Sequence, residues 1–260
     1  MKKKIVLMLT VIMLIGLAGC GKNQINIKET GTSDNNEQMV QNIYENKRTE
    51  VKQKISEIKE RLPETSAEDK GTCGSKAKWY YKDNTLIIYG EGVITEDTWH
   101  KSNIVINTVV IDSGITKLGN NMFSGLGSEV GKNIENFYIA DGLEEIGSST
   151  FVNCDCLSEI VLPPSLYFID GYTFASCDSL KKIYMTDGVE KIGDSAFTGC
   201  KSLESIFIPK TVRAIGNGVF TGCNNLSDIQ ISKDNRIFSE KNNCIINNCL
   251  LYTSDAADEL

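Results

Sequence analysis

The sequence is almost without histidine, since His100 is the only one among 260 residues. With a single imidazole, Ser-His-Asp or Cys-His catalysis and a histidine-rich metal site are hard to assemble. We also find no nucleophile beside a base, no phosphate-binding loop and no aspartate-rich calcium loop. The sequence therefore predicts a protein that is not an enzyme and holds no metal or other cofactor.

The chain also has fewer positive than negative charges, with 27 Lys and Arg against 34 Asp and Glu, which gives a net charge of −7. An acidic surface argues against nucleic acid as a partner, because phosphate binding needs a basic patch. It also gives no electrostatic attraction to an anionic membrane. Hydrophobic residues make up 41% of the chain, which is enough to build a core.

The N-terminus has the pattern of an export signal. Three lysines (Lys2 to Lys4) precede an apolar run of 13 residues from Ile5 to Leu17, which is short for a bilayer span. The run ends in Leu17-Ala18-Gly19-Cys20, which resembles the lipobox of bacterial lipoproteins. The resemblance implies that residues 1–19 are a signal peptide and that Cys20 carries a diacylglycerol. The mature protein is then predicted to be lipid-anchored to the cell membrane, on its extracytoplasmic face.

Two segments follow before the main body of the chain. Residues 20–37 are polar and predict a disordered tether. Residues 38–62 carry apolar side chains at helical spacing, and Pro63 stops the pattern. These side chains are Val40, Ile43, Val51, Ile55, Ile58 and Leu62. This amphipathic helix has two interpretations: a stalk that self-associates weakly, or a helix without that role that is packed on the following domain or is only marginally stable in solution.

The remainder of the chain is periodic. Four segments align with a spacing of 23 residues, beginning at Ile134, Leu157, Leu180 and Leu203. An earlier unit begins at Ile106 with a five-residue insertion near 127–133, and a later unit from Leu226 degenerates after Ile231. A fixed period of this length predicts a solenoid in which each unit packs only on its neighbours.

Each unit predicts a strand, a turn, a second short apolar element and a final turn ending in A-F-x-x-C. Stacking then predicts a continuous buried spine of Phe123, Phe151, Phe174, Phe197 and Phe220. The repeat cysteines are Cys154, Cys177, Cys200 and Cys223. They could be metal ligands or disulfide partners, but their parallel register favours a ladder of buried thiols.

Two segments, 182–200 (KIYMTDGVEKIGDSAFTGC) and 205–223 (SIFIPKTVRAIGNGVFTGC), resemble the BspA-type leucine-rich repeat. The resemblance covers about 106–238, and residues 71–94 with Trp99 resemble the N-terminal cap of that family. It implies a β-rich α/β leucine-rich-repeat solenoid of about six 23-residue units that stack a parallel sheet. An N-terminal β cap (70–105) and a helix precede the repeats. The family also implies adhesion to a host or bacterial surface protein.

One row of side chains is expected to face solvent from the repeat strands, because it lies between the inward positions. We call this row the recognition strip, and it consists of Val110, Tyr138, Val161, Tyr184 and Phe207, with Gln230 continuing it. Apolar and aromatic residues there indicate either a ligand-binding surface or a ladder that packs on itself. The neighbouring outward positions are predicted to form a polar rim: Asn136, Glu159, Lys182, Ser205 and Asp228.

The C-terminal residues 249–260 differ in character from the repeats. Residues 249–259 resemble the in-frame translation of a sequencing adapter, which predicts that they are an artefact and that the repeats (106–248) continue into further sequence. An end at 248 is expected to leave an uncapped strand edge.

The leading functional expectation is a lipid-anchored surface adhesin. The alternatives are a recognition arm of a larger lipoprotein with a C-terminal catalytic domain, or a scaffold for partners in the same envelope.

Overall fold

The computed structural model describes residues 33–99, 104–125, 130–241 and 244–247. The predicted signal peptide, the predicted anchor Cys20, His100 and the tail 249–260 lie outside these residues. The described chain begins with one long helix, α1 (Ser33–Arg61), and continues almost entirely as short strands and turns. The helix starts at Ser33 rather than at the predicted residue 38, so the end of the predicted tether is helical.

The strand that opens each repeat contributes to one parallel sheet, here called the first sheet. Its repeat strands are β4 (Thr108–Ile111), β6 (Asn136–Ile139), β8 (Glu159–Val161), β10 (Lys182–Tyr184), β12 (Ser205–Ile208) and β14 (Asp228–Ile231). Hydrogen-bonded parallel pairs join β4 to β6, β8 to β10 and β12 to β14. Strand β8 lies beside β6, and β12 lies beside β10. The predicted parallel stacking is therefore confirmed.

The second apolar element of each repeat forms another parallel ladder, here called the second sheet. Its strands are β5 (Ile115–Leu118), β7 (Glu145–Ile146), β9 (Phe168–Ile169), β11 (Lys191–Ile192) and β13 (Ala214–Ile215). The glycine that follows in the I-G motif lies against the backbone of the preceding unit. A Cβ on Gly193 would lie 2.5 Å from the backbone nitrogen of Gly171, which no side chain can tolerate. Four of the five units therefore have glycine at this position, where neighbouring units approach closely. The exception is Asp170, with Gly171 next to it.

Three antiparallel strands cap the N-terminal end of the stack: β1 (Asp69–Thr72), β2 (Lys76–Lys82) and β3 (Thr85–Ile94). The turn between β2 and β3 places Asp83 and Asn84 at positive φ, as a tight two-residue hairpin requires. Strand β3 then pairs in parallel with both β4 and β5. It therefore covers the first strand edge of each sheet, which is the role that the sequence predicts for a cap.

The core between the two sheets contains the predicted aromatic spine. The rings of Phe123, Phe151, Phe174, Phe197 and Phe220 stack with centroids 5.0 to 6.0 Å apart and planes within 11° of parallel. Trp99 extends the stack at its N-terminal end, 5.4 Å from Phe123. The spine prediction is confirmed, and the tryptophan of the cap belongs to it.

A ladder of thiols runs beside these rings. The thiol of Cys177 donates to the carbonyl oxygen of Phe151 at 2.9 Å, and that of Cys200 donates to Phe174 at 3.0 Å. Cys154 and Cys223 make the same bond to Phe123 and Phe197. The thiol ladder that the repeat register favours is therefore confirmed, and each thiol satisfies a backbone carbonyl of the unit before it.

The described chain does not stop at the last parallel strand. Strands β15 (Phe238–Lys241) and β16 (Cys244–Asn247) form an antiparallel hairpin, and β15 lies beside β14. Phe238 is buried in the core, and the amide of Asn235 donates to the carbonyls of Pro209 and Val212. The degenerate last unit therefore turns back on itself and packs beside β14, but among the described strands β14 forms a hydrogen-bonded ladder with β12 alone. The uncapped edge stays a prediction.

Candidate functional site

The register of the first sheet brings the residues of the recognition strip into one row. Val110 lies opposite Tyr138 on the adjacent strand, and Val161 lies opposite Tyr184. Phe207 pairs with Gln230 at the C-terminal end. The row also continues into the cap, where Ile87 lies opposite both Val110 and Tyr80. The sequence did not indicate that the row extends to Ile87 and Tyr80, because the cap segment was interpreted only as a cover for the strand edge.

Helix α1 lies on this face and covers most of it. Its apolar side chains form a second hydrophobic cluster with the outward residues of the sheet, separate from the core that holds the aromatic spine. The buried members are Tyr44, Val51, Ile55, Ile58, Leu62, Tyr80, Ile87, Val110 and Val161, with Tyr138 and Tyr184 partly buried against them. Of the two interpretations of the predicted helix, packing on the following domain is confirmed.

The predicted solvent exposure of the strip is wrong for two residues. Val110 is completely buried and Val161 is 5% exposed, because the helix packs on both. Tyr138, Tyr184 and Phe207 are half-buried and keep part of their surface accessible. At the rim, Asn136, Glu159, Lys182 and Asp228 are exposed as predicted, while Ser205 is half-buried. The role of the strip in ligand binding stays a prediction.

Two tyrosine hydroxyls fix the helix on the sheet. Tyr44 donates to the carbonyl oxygen of Leu162 at 2.8 Å, just after β8. Tyr80 of β2 donates to the carbonyl oxygen of Leu62 at 2.9 Å, at the end of the helix. Both bonds are buried, so each hydroxyl is satisfied without water while its ring adds to the apolar contact.

Arg48 is a buried cation in the middle of this interface. Its Nη1 donates to the carbonyl oxygen of Ile139 at 2.9 Å, and its Nη2 lies 2.5 Å from Oδ1 of Asp141. Its Nε is buried and has no hydrogen-bond partner among the described residues. The guanidinium is therefore paired but incompletely satisfied, a state that costs stability relative to full pairing.

Three further ion pairs surround the apolar contact. Lys47 lies 2.9 Å from Glu159, Lys52 lies 2.8 Å from Asp141, and Lys59 lies 2.5 Å from Asp112. The carboxylates follow or begin strands of the first sheet, and the cations all come from α1. These side chains are partly exposed, so each pair contributes little energy alone but fixes how the helix is aligned.

The ion pairs shift the ionisation of their members. Burial alone would raise the pKa of Asp141, but Lys52 and Arg48 outweigh it and hold the pKa below its usual value. The hydrogen bond to Glu159 raises the pKa of Lys47 to about 12. Burial also raises the pKa of the Tyr138 and Tyr184 hydroxyls, which therefore remain neutral donors near pH 7.

A cleft of about 350 Å³ opens along one side of the helix. Its walls include Lys47, Glu50 and Lys54 of α1 and Tyr138 and Glu159 of the sheet. The ammonium of Lys47 also lies 5.7 Å from the ring centre of Tyr184. Part of the strip is therefore reached from solvent through a polar entrance beside the helix.

In the part of the chain that the structure describes, no group of three or more His, Cys, Asp or Glu residues is placed to hold a metal ion. No helix in the described ranges has the length and hydropathy that crossing a bilayer requires. The helix–sheet face is therefore the candidate site for function.

A family model agrees with the repeat pattern. Residues 129–251 match the BspA type leucine rich repeat region in six copies. This part of the chain is therefore similar to that family, and the predicted leucine-rich-repeat solenoid fold is confirmed. No curated protein matches the chain.

Solved structures share the architecture. A leucine-rich repeat protein from Eubacterium ventriosum is 23% identical, with a TM-score of 0.58, and the match covers 69% of this chain and 48% of that one. The pneumococcal vaccine antigen PcpA is 17% identical with a TM-score of 0.50, over 70% of this chain and 54% of that one. The chain thus spans about half the length of these proteins, and the likeness concerns the fold.

Proposed function

We propose that this protein is a lipid-anchored bacterial surface protein whose leucine-rich repeats bind a protein partner, without enzymatic activity. The partner is a surface protein of a host cell or of another bacterium. One observation carries the proposal: a rigid parallel sheet presents Tyr138, Tyr184 and Phe207 in one row, half-buried and reachable from solvent. Aromatic side chains that are held rigidly and partly exposed are the usual anchors of protein interfaces.

The anchor in this proposal is Cys20, with residues 1–19 removed as a signal peptide. Two acyl chains on this cysteine would hold the protein stably at the membrane, whereas one chain would not. Metabolic labelling with a radioactive fatty acid tests the anchor directly. Label in the wild type and its loss in Cys20→Ser support anchoring, and an unlabelled wild type contradicts it.

Binding by the strip is tested with the double variant Tyr184→Ser/Phe207→Ser. Labelled full-length protein is applied to host and bacterial cells, and bound label is measured against concentration. We expect binding to fall by about thirtyfold or more, because the loss of even one aromatic anchor removes about 2 kcal/mol. The core does not contain these side chains, so folding should be nearly unchanged.

A matched control uses two tyrosines on a different part of the surface. Tyr167 and Tyr172 are 40% and 51% exposed and do not belong to the strip, so Tyr167→Ser/Tyr172→Ser should bind like the wild type. Unchanged binding by a folded Tyr184→Ser/Phe207→Ser variant would count decisively against the strip as the binding site.

A further inference from the structure

We propose that the outward face of the first sheet is a docking surface for an amphipathic helix of the partner protein, and that α1 occupies this surface in cis until the partner helix displaces it. The inference rests on the proposed function, and it adds the structural class of the partner and the regulation of the site. The occupant is a helix with an apolar stripe and flanking cations, supplied by another protein.

The chemistry of the surface defines this helix. An apolar row from Tyr80 to Tyr184 takes the apolar stripe, which in α1 comprises Tyr44, Val51, Ile55, Ile58 and Leu62. Three carboxylates border the row, Asp112, Asp141 and Glu159, and each pairs with a cation of α1. A partner helix that fits must therefore place Lys or Arg beside its apolar stripe, as charge complementarity requires.

The separation of the two hydrophobic clusters allows α1 to leave without unfolding the repeats. The aromatic spine and the inward strand residues form one cluster, and the helix belongs only to the other. Displacing α1 therefore uncovers one sheet face and opens no cavity in the core. An incoming helix covers the same side chains again, so the exchange loses little buried apolar surface.

The helix itself is able to stand apart from the sheet. Side-chain pairs along its exposed face support it, including Gln41 with Glu45 and Lys54 with Glu57. Its first turns bury fewer apolar side chains than the rest, since Met39 is 60% and Ile43 is 39% exposed, and the hydroxyl of Ser232 donates to Glu37 there at 2.6 Å. The incomplete pairing of Arg48 weakens the docked state further. Exchange is therefore expected to begin at the N-terminal turns.

The test uses a synthetic, fluorescent peptide of residues 33–62 as the incoming helix. The full chain is prepared as the wild type and as Arg48→Glu/Ile55→Asp, which removes the buried cation and an apolar contact from the cis helix. The expected result is that the variant binds the peptide about tenfold more tightly than the wild type, because its surface is vacant for a larger fraction of the time. Slow reaction of Cys177 and Cys200 with a thiol reagent reports that the core remains folded.

A matched control places the same kinds of change on the exposed side of the helix. The Ile43→Asp/Arg61→Glu chain should bind the peptide as weakly as the wild type, because neither residue belongs to the docked face. A peptide carrying Arg48→Glu and Ile55→Asp should not bind the vacated surface. The proposal is overturned if the native and the substituted peptide bind the Arg48→Glu/Ile55→Asp chain equally. It is also overturned if the native peptide does not bind that chain while slow reaction of its thiols shows that the core is folded.

A charge exchange tests the partner chemistry. Here the chain is vacated by Arg48→Ser/Ile55→Asp, so that its own helix has no carboxylate at position 48 to pair with a lysine at position 141. Asp141→Lys on this chain should weaken binding of the native peptide, and a peptide with Arg48→Asp and Lys52→Asp should restore binding. If the vacated chain unfolds, the wild-type chain is instead mixed with an isotope-labelled native peptide and crosslinked with a carbodiimide. A crosslink from Lys52 of the labelled peptide to Asp141 of the chain supports exchange of the helix. The absence of this crosslink at saturating peptide overturns the proposal. The peptide experiments do not test the proposed function itself. That function fails in a different experiment, if the Tyr184→Ser/Phe207→Ser variant binds cells as well as the wild type does.

Discussion

Phe174 shows how one side chain stabilises two neighbouring repeats. Its ring stacks between Phe151 and Phe197, with centroid distances of 5.0 and 5.4 Å, and it is completely buried. A ring at this position contacts the unit before it and the unit after it. Because each repeat packs only on its neighbours, the loss of one central ring weakens two interfaces at once.

Replacing Phe174 by alanine is predicted to destabilise the protein by about 3–5 kcal/mol, the usual cost of removing a buried phenylalanine from a core. Phe220→Ala should cost less, because that ring stacks on Phe197 and is already 8% exposed. Equilibrium unfolding in urea measures both. The half-buried Phe207→Ala serves as the control, and equal losses at all three positions would contradict a stacked spine.

The thiol ladder predicts a dependence of stability on pH. Burial raises the pKa of the Cys177 thiol, and hydrogen bonding to Cys177 raises the pKa of Cys200. Unfolded thiols ionise near pH 8.5, so above that pH the unfolded state releases protons that the folded state keeps. The free energy of unfolding should therefore fall between about pH 8.5 and 10.

The comparison that isolates this effect is Cys177→Ala/Cys200→Ala. The double variant should lose stability more slowly over the same pH range, even if it is less stable at pH 7. Urea unfolding at several pH values measures the slope. Identical slopes for the variant and the wild type would show that these thiols ionise as easily in the folded protein as in the unfolded one.

At the scale of the element, α1 shows where sequence reasoning succeeded and where it did not. The helical spacing correctly placed Val51, Ile55, Ile58 and Leu62 on one face, and all four are buried. The same reading assigned Ile43 to that face, yet Ile43 is exposed and Tyr44 takes the position instead.

The reason lies in the polar atoms of the interface. Tyr44 can be buried because its hydroxyl donates to Leu162, and Arg48 can be buried because Ile139 and Asp141 accept from it. An apolar pattern cannot identify such positions, since their partners lie about 90 to 120 residues away. The sequence therefore predicts the helix and most of its face, but not the surface on which it docks.

The ion pairs predict that acid loosens α1. The pKa of Asp141 is lowered in the folded protein, so its contribution to docking is present above its ordinary value of 3.8 and is lost as the pH falls below it. Hydrogen exchange of the α1 amides, corrected for intrinsic rates, should therefore speed up as the pH falls below about 4. In Asp141→Asn this added acceleration should shrink, and protection in the wild type that does not change with pH would contradict the argument.

At the scale of the whole molecule, the repeat period accounts for most of what could be predicted. Residues at 23-residue spacing such as Leu157, Leu180 and Leu203 are all completely buried, so periodicity alone fixes the stacked core. Neither end of the stack has a period to read. The resemblance to the family's cap predicts the strands β1 to β3, whereas nothing in the sequence predicts the hairpin of β15 and β16.

The sequence predicts the register of the recognition strip correctly but not the solvent exposure of all its residues. Register follows from the repeat, which puts Val161 opposite Tyr184. Accessibility depends on an element outside the repeat, because α1 covers Val110 and Val161. The molecule is therefore a solenoid with two separate apolar clusters, one that holds the repeats together and one that holds a helix on their outer face.

The central claim of this account is that α1 lies on the recognition strip. Zero-length carbodiimide crosslinking of the full chain, followed by mass spectrometry, tests it without any substitution. We predict links between Lys47 and Glu159, Lys52 and Asp141, and Lys59 and Asp112, whose charged atoms lie within 2.9 Å of each other. Links from Lys54 to Glu57 within the helix and from Lys201 to Asp178 within the repeats serve as internal controls. If the control links form and none joins the helix to the sheet, α1 does not cover the strip and the account is wrong.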